Sequence, residues 1–406
     1  MESASACSII TVSSMNSVFF GYNEDESEGD STIHDLYLVF SPENTSYCHE
    51  VTETYGHLFI LYKTNNMASA RVGMNTEGLA ISGNGISEYL INPHPERLYD
   101  LDEYSFYNKV LEECSNVSEA INMAREFDFS PAMAYQMHIA DANGDAVIIA
   151  PRSDGEVAFV QKENSSYLIS TNFNRADSEN KEYPCPRYEK AEAELEKIKP
   201  EDDLKLDFIR SILDALHYEG FQTNTVYSQI FDLKNRISYL YYWHHYSEVV
   251  SLNLTQELTK GKQQIPLLTL FSQELIDKGS QEFQTNQTIV LEITLVAIII
   301  GVAFVVLLGI SVRRTAKNST LPTKWKILQI TIFLIGGAMA FSFLLTGHIL
   351  TPYVLAGNYL SNSGKIQTII QEVITVYLIL AVCFGIIAVI YLLIRKHVFP
   401  QTITSE

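Results

Sequence analysis

Three long apolar runs in the last third of the chain limit what it can fold into more than any other feature. They cover residues 288–312, 327–350 and 366–394, and none carries a charge near its centre. Glu292 and Glu372 sit near the ends of their runs, where they can reach an interface. At 1.5 Å of rise per residue, each run as a helix crosses about 30 Å of hydrocarbon. The short loop after the first run holds Arg313, Arg314, Lys317, Lys324 and Lys326, and Arg395 and Lys396 follow the third. The other side offers only Lys278 and Lys365. Basic flanks stay cytoplasmic. The expectation is a multi-pass protein of the cell membrane, with residues 397–406 as a cytoplasmic tail and the large first domain outside.

That orientation requires an export signal. Residues 1–6 have no apolar stretch, yet Ala4-Ser5-Ala6 has the small-x-small form of a signal-peptidase site. The reading is that Met1 is internal to a longer frame that encodes the signal segment upstream. Residues 1–6 are then a short propeptide or the remnant of a cleavage region. Sequons at Asn44, Asn116, Asn164 and Asn253 are compatible with an outside location.

The formal charge of -20 is concentrated before the apolar runs. Such a surface repels a phosphate backbone, so nucleic acid is not an expected partner. The five cysteines, Cys7, Cys48, Cys114, Cys185 and Cys383, form no CxxC pair and no Cys/His cluster, so no metal site is expected. A disulfide among the first four is open, and the spacing does not choose one.

Residues 7–280 read as one α+β domain. Ser8 to Gly21 predicts two strands around a turn at Ser13–Ser17, and Leu36–Phe40, Leu58–Tyr62 and Gly78–Ser82 predict three more. Tyr104 to Phe127 has the apolar spacing of a helix. Gln136–Asp141 and Ala146–Ala150 alternate around Asn143-Gly144, a hairpin signal. Val157–Gln161 and Tyr167–Ser170 are expected to continue that meander. Two helices are expected at Arg187–Ile198 and Leu204–Leu216, followed by a hairpin of Val226–Phe231 and Arg236–Trp243. The Tyr239–Trp243 aromatic run reads as packed strand.

Cys7 opens the first apolar strand. Cleavage after Ala6 would make it the mature N-terminus. Its α-amine, with a reference pKa of about 7.7–8.0, could then serve as base for its own thiol. Nucleophile and base then belong to one residue, and no cofactor is required.

The ordered set of segments resembles a known family. Cys7-Ser-Ile-Ile and Gly21-Tyr22-Asn23-Glu24-Asp25 come first, then Gly73–Ala80, Ile139–Asp145 and Ser170–Asn174, then Cys185-Pro186-Arg187-Tyr188 and the Thr225–Trp243 hairpin. Together they are similar to the N-terminal-nucleophile (Ntn) cysteine hydrolases of the choloylglycine hydrolase, penicillin acylase and acyl-CoA:6-aminopenicillanic acid acyltransferase group, over most of residues 7–245. The resemblance implies a four-layer αββα sandwich that cleaves a linear, non-peptide amide C–N bond of a small N-acyl substrate. It implies Cys7 as nucleophile, Asp25 as the carboxylate orienting it, Asn172 and Asn84 as oxyanion donors, and Arg187 beside the nucleophile. At Tyr22, a substrate-binding position, bile-salt hydrolases carry arginine, so bile-salt specificity is not carried over. Acyl transfer shares the same motifs. A papain-like pairing with His49, His57, His138, His244 or His245, and a catalytically inactive sensor, are the competing readings.

Overall fold

The computed structural model describes residues 7–26, 33–45, 54–64, 68–97, 99–100, 103–177, 185–199, 201–219, 223–285, 288 and 310. The chain divides into two units, Met1–Gln284 and Thr285–Glu406. The three apolar runs and the cytoplasmic tail lie outside the described residues, apart from Thr288 and Ile310. Among the described residues no helix is long and apolar enough to cross a membrane.

The first strand, β1 (Ser8–Ser13), shows why the domain is layered. Ile9 belongs to one core cluster, Ile10 and Val12 to another, and all are buried. Apolar residues on both faces of a strand require cover on both sides. β2 (Val18–Glu26) pairs with β1 from Ser8↔Asn23 to Ser13↔Val18, and Ser14 donates to the Ser17 carbonyl at 2.9 Å in the turn. β3 (Leu36–Ser41), β4 (His57–Lys63), β5 (Ala68–Asn75) and β6 (Ala80–Leu90) follow as antiparallel neighbours. Gly78, at φ 78°, makes the tight turn between β5 and β6. An added Cβ there would strike the Leu233 carbonyl.

After the two-residue β7 (Tyr99–Asp100) comes the segment expected to be one helix. It is two. α1 (Glu103–Glu113) ends before Asn116, which caps α2 (Val117–Arg125) by accepting from the Glu119 amide at 3.0 Å. An Asn side chain competes for backbone amides and starts helices better than it continues them.

β8 (Phe127–Asp128) pairs with β7, and β9 (Ala132–Ala140), β10 (Ala146–Pro151) and β11 (Val157–Gln161) form the expected meander. Gly144 has φ 93°, and Asp141 holds the turn by accepting from the Asn143 amide at 2.9 Å. β12 (Tyr167–Ser170) departs from expectation. It crosses to the other sheet and pairs with β1, because the inner strand there still needs a neighbour. α3 (Pro186–Leu195) and α4 (Leu206–Leu216) lead to β13 (Asn224–Asp232) and β14 (Ile237–Tyr242). β15 (Val250–Asn253), α5 (Leu254–Leu258), β16 (Gln263–Pro266) and a helix over residues 273–285 complete the unit.

The strands form a six-stranded sheet, β12-β1-β2-β13-β14-β15, and an eight-stranded sheet, β11-β10-β9-β6-β5-β4-β3-β16. Ile9, Phe20, Leu38, Leu58, Ile148 and Phe231 share one core between the sheets. α1 and α2 cover the outer face of the larger sheet, with Phe106, Leu111 and Ile121 against Phe59, Ile81 and Ile139. α3 and α4 cover the outer face of the smaller one, with Ala191, Ile209 and Leu213 against Ile10, Phe19 and Ile230. The result is the four-layer αββα order.

Candidate active site

Cys7 stands at the head of β1, 3% exposed. The register that pairs Ser8 with Asn23 brings Cys7 to the level of Glu24. Side chains alternate along a strand, so Cys7, Tyr22 and Glu24 face the core between the sheets, while Ser8 and Asp25 face the helical layer of α3.

On the inner face, the Tyr22 hydroxyl donates to the Cys7 sulfur at 3.6 Å and also contacts the Glu24 carboxyl. Tyr227, from β13, donates to the same carboxyl at 3.4 Å. Arg71, from β5, approaches Glu24 at 3.6 Å and Glu26 at 3.3 Å. Burial pushes the Glu24 carboxyl well above its usual range, against the pull of Arg71. Burial works against charge on Arg71, but Glu24 and Glu26 outweigh it and raise its pKa.

On the outer face, Arg187 from the first turn of α3 joins the pieces. Its Nη1 donates to Ser8 Oγ at 2.9 Å and to Asp25 Oδ2 at 3.0 Å, and its Nη2 donates to Asn172 Oδ1 at 2.6 Å. Thr225 donates to the other Asp25 oxygen. Even so, burial dominates Asp25 and pushes its carboxyl up to about 7, against Arg187 and Thr225. Asn172 donates through Nδ2 to the Gly85 carbonyl at 2.8 Å. Asn84, on β6 of the opposite sheet, donates to the Cys7 carbonyl at 3.1 Å.

All six residues singled out from the sequence, Cys7, Tyr22, Asp25, Asn84, Asn172 and Arg187, therefore meet at one place. They come from β1, β2, β6, the loop after β12, and α3. Sequence reasoning missed Glu24 and Arg71. Glu24 was legible only as part of the Gly21–Asp25 segment, and Arg71 reaches the thiol's neighbours only because β5 crosses this end of the sandwich.

The histidines of a Cys–His pairing are engaged elsewhere. His138 lies between Thr11 (2.9 Å) and Ser170 (3.0 Å), and burial holds its pKa down at about 3. His57 meets the Tyr55 carbonyl at 3.0 Å, and burial holds it at about 4. His244 and His245 face Glu282. His49 lies outside the described residues. Among the described residues Cys7, Cys114 and Cys185 are buried and form no disulfide with one another; Cys48 and Cys383 lie outside the described residues.

Two stacked antiparallel sheets between helical layers define a four-layer αββα sandwich, with a cysteine at the head of an inner strand. Residues 12–244 match the model of the acyl-coenzyme A:6-aminopenicillanic acid acyl-transferase family, more than half of the 406 residues, and the chain belongs to that family. That family is described as acyl-transferases. Among solved structures, a mutant conjugated bile acid hydrolase from Clostridium perfringens is similar at TM-score 0.49 and 15% identity, over 64% of this chain and 95% of its own. Another variant of that enzyme gives 0.48 and 16%, over 64% and 95%. Penicillin V acylase from Agrobacterium tumefaciens gives 0.47 and 15%, over 62% and 86%. No curated protein matches the chain.

Proposed function

We propose that this protein hydrolyses a linear amide C–N bond of a small N-acyl substrate through a thioester on Cys7, once residues 1–6 have been removed. The observation that carries this reading is the convergence on Arg187, which binds Asp25, Asn172 and the residue next to Cys7 together. A buried cation that fixes a carboxylate and an amide beside a thiol is preorganisation for chemistry at that thiol.

In the proposed sequence the α-amine of Cys7 takes the thiol proton, and the thiolate attacks the amide carbonyl. Negative charge develops on the carbonyl oxygen and meets the side-chain N–H groups of Asn172 and Asn84. An amide nitrogen carries two N–H donors, of which the bond to Gly85 takes one from Asn172. The protonated amine returns its proton to the leaving nitrogen as the C–N bond breaks. Water, deprotonated by the same amine, then releases the acid and regenerates the thiol. Asp25 and Arg187 hold the nucleophile's strand and the Asn172 amide in register. Tyr22 supports the sulfur.

Acyl transfer is the second reading, favoured by the family's own description as acyl-transferases. An acceptor amine then replaces water. The three apolar runs are proposed to anchor the domain on the outer face of the membrane, where protease added to intact cells should reach it.

The test is the intact mass of active protein purified from its native host, together with Cys7→Ala. The proposal expects a mature chain starting at Cys7, complete loss of N-acyl amide cleavage in the variant, and faster alkylation at Cys7 than at the other thiols. Full activity with residues still attached ahead of Cys7 would refute it. Added amine acceptor separates the two readings: amide product at the expense of free acid means transfer.

A further inference from the structure

His244 and His245 follow β14 and take no part in the chemistry above. In a strand, consecutive side chains point to opposite faces. Here Trp243 adopts φ 56°, and the His245 amide donates to the Tyr242 carbonyl at 3.1 Å, closing a turn. That turn brings two consecutive imidazoles to the same carboxylate. His244 Nε2 and His245 Nε2 each lie 3.2 Å from Glu282 Oε2, on the helix of residues 273–285. One ligand atom from each of the three residues lies within 4.8 Å of the others.

Both contacts lie at ion-pair distance without the alignment of a good hydrogen bond. Glu282 Oε2 and His245 Nε2 are both buried atoms with no hydrogen-bond partner. A close approach without hydrogen-bond alignment is what ligands around a metal show. Two ligands about 2.0–2.1 Å from a tetrahedral zinc lie about 3.3–3.4 Å from one another.

We propose that His244, His245 and Glu282 bind one divalent transition-metal ion of the zinc type, with a water in the fourth position. Imidazole and carboxylate together suit zinc better than calcium or magnesium, which take all-oxygen sets. His217 stacks on His244 at 5.3 Å and 15°, which steadies that ring. The ion joins the turn after β14 to the last described helix of the unit. Trp243 and Phe283, 6.3 Å apart, pack edge to face across the same seam. Its role is therefore to clamp that helix to the sheet that carries the Asp25 and Thr225 strands. The sequence hides this site because 36 residues separate His245 from Glu282.

The test uses the full-length chain, stripped with a chelator and titrated with Zn2+ and, separately, with Co2+. The site expects one ion per chain, the visible absorption of four- or five-coordinate Co2+, and a rise in melting temperature with Zn2+. His245→Ala and Glu282→Gln should each weaken binding about 10–100-fold and abolish the thermal shift. Glu282→Gln keeps the side-chain volume, and its metal-free melting temperature, measured against wild type, checks its fold. Because thiolates also bind zinc, Cys7→Ser should bind the metal as tightly as wild type. No stoichiometric binding by wild type, unchanged binding in both His245→Ala and Glu282→Gln, or binding lost with Cys7→Ser would each overturn the proposal.

Discussion

The hydroxyl of Tyr22, on β2, donates to the sulfur of Cys7 at 3.6 Å across the inner face of the smaller sheet. Positive charge is close by, and it arrives from another strand, as Arg71 paired with Glu24. In the proposed mechanism the thiolate is steadied by a donor backed by a buried carboxyl. An arginine in direct contact would act through its charge.

Replacing Tyr22 by Phe should therefore raise the Cys7 thiol pKa. A hydrogen bond to a charged group contributes about 1.5–3 kcal/mol, which corresponds to roughly one to two pH units. The pH dependence of iodoacetamide alkylation measures it. An unchanged profile would show that the hydroxyl does not support the thiolate.

Asp25 gives the pH dependence its sign. Burial raises its carboxyl from 3.8 to about 7 in the fold. Between these values the folded state holds a proton that the unfolded chain has lost, so the Asp25 contribution is most favourable in acid. It becomes less favourable as pH rises, and levels off above about 7. The Asp25–Arg187 ion pair forms only with the carboxylate ionised, so the proposed activity should rise along an acid limb centred near 7. Asp25→Asn should remove that slope in stability and leave only the acid limb of the Cys7 α-amine; profiles of kcat/KM and of urea unfolding against pH would show an Asp25 limb or slope persisting.

Arg187→Met leaves a buried carboxylate and an amide oxygen without their cation. Breaking one side of a buried pair costs about 3–5 kcal/mol. Because Arg187 holds the Asp25 pKa down, the acid limb should also move to higher pH. Adding Asp25→Asn should recover part of the lost stability above that raised pKa, where the carboxylate is ionised without its cation. Denaturant unfolding of the two single variants and the double variant provides the cycle, and strictly additive losses would contradict the pairing.

Asn172→Ala and Asn84→Ala should act on kcat more than on KM. Losing one oxyanion donor costs about 2.7–4 kcal/mol, or about 100- to 1000-fold in rate. Steady-state kinetics on an N-acyl amide that wild type cleaves would decide it. A loss confined to KM would assign these amides to substrate binding.

Much of the site was legible because its parts are local. Cys7 heads a run of β-formers, Asp25 sits in Gly21–Asp25, and Arg187 follows Pro186 at a helix start; each keeps its place whatever surrounds it. The hairpin at Asn143-Gly144 was legible for the same reason, since Gly144 supplies the positive φ itself. The break between α1 and α2 was also written locally, in the Asn116 cap, but apolar spacing ran through it and hid it. β12 could not be placed, because a strand of Tyr-Leu-Ile-Ser suits either sheet.

The amino-acid order alone determined most of the longer strands, several of their turns, the proposed nucleophile and the succession of family segments, since these depend on backbone preference and on side-chain period over a few residues; β5, β15 and β16 carried no such signal. Tertiary structure alone decided that Arg71 stands behind Glu24, that Arg187 ties Asp25 to Asn172, and that Glu282 meets two histidines. Each of those contacts joins residues far apart in the chain, and its geometry is set by strand register and layer packing, which no local pattern encodes.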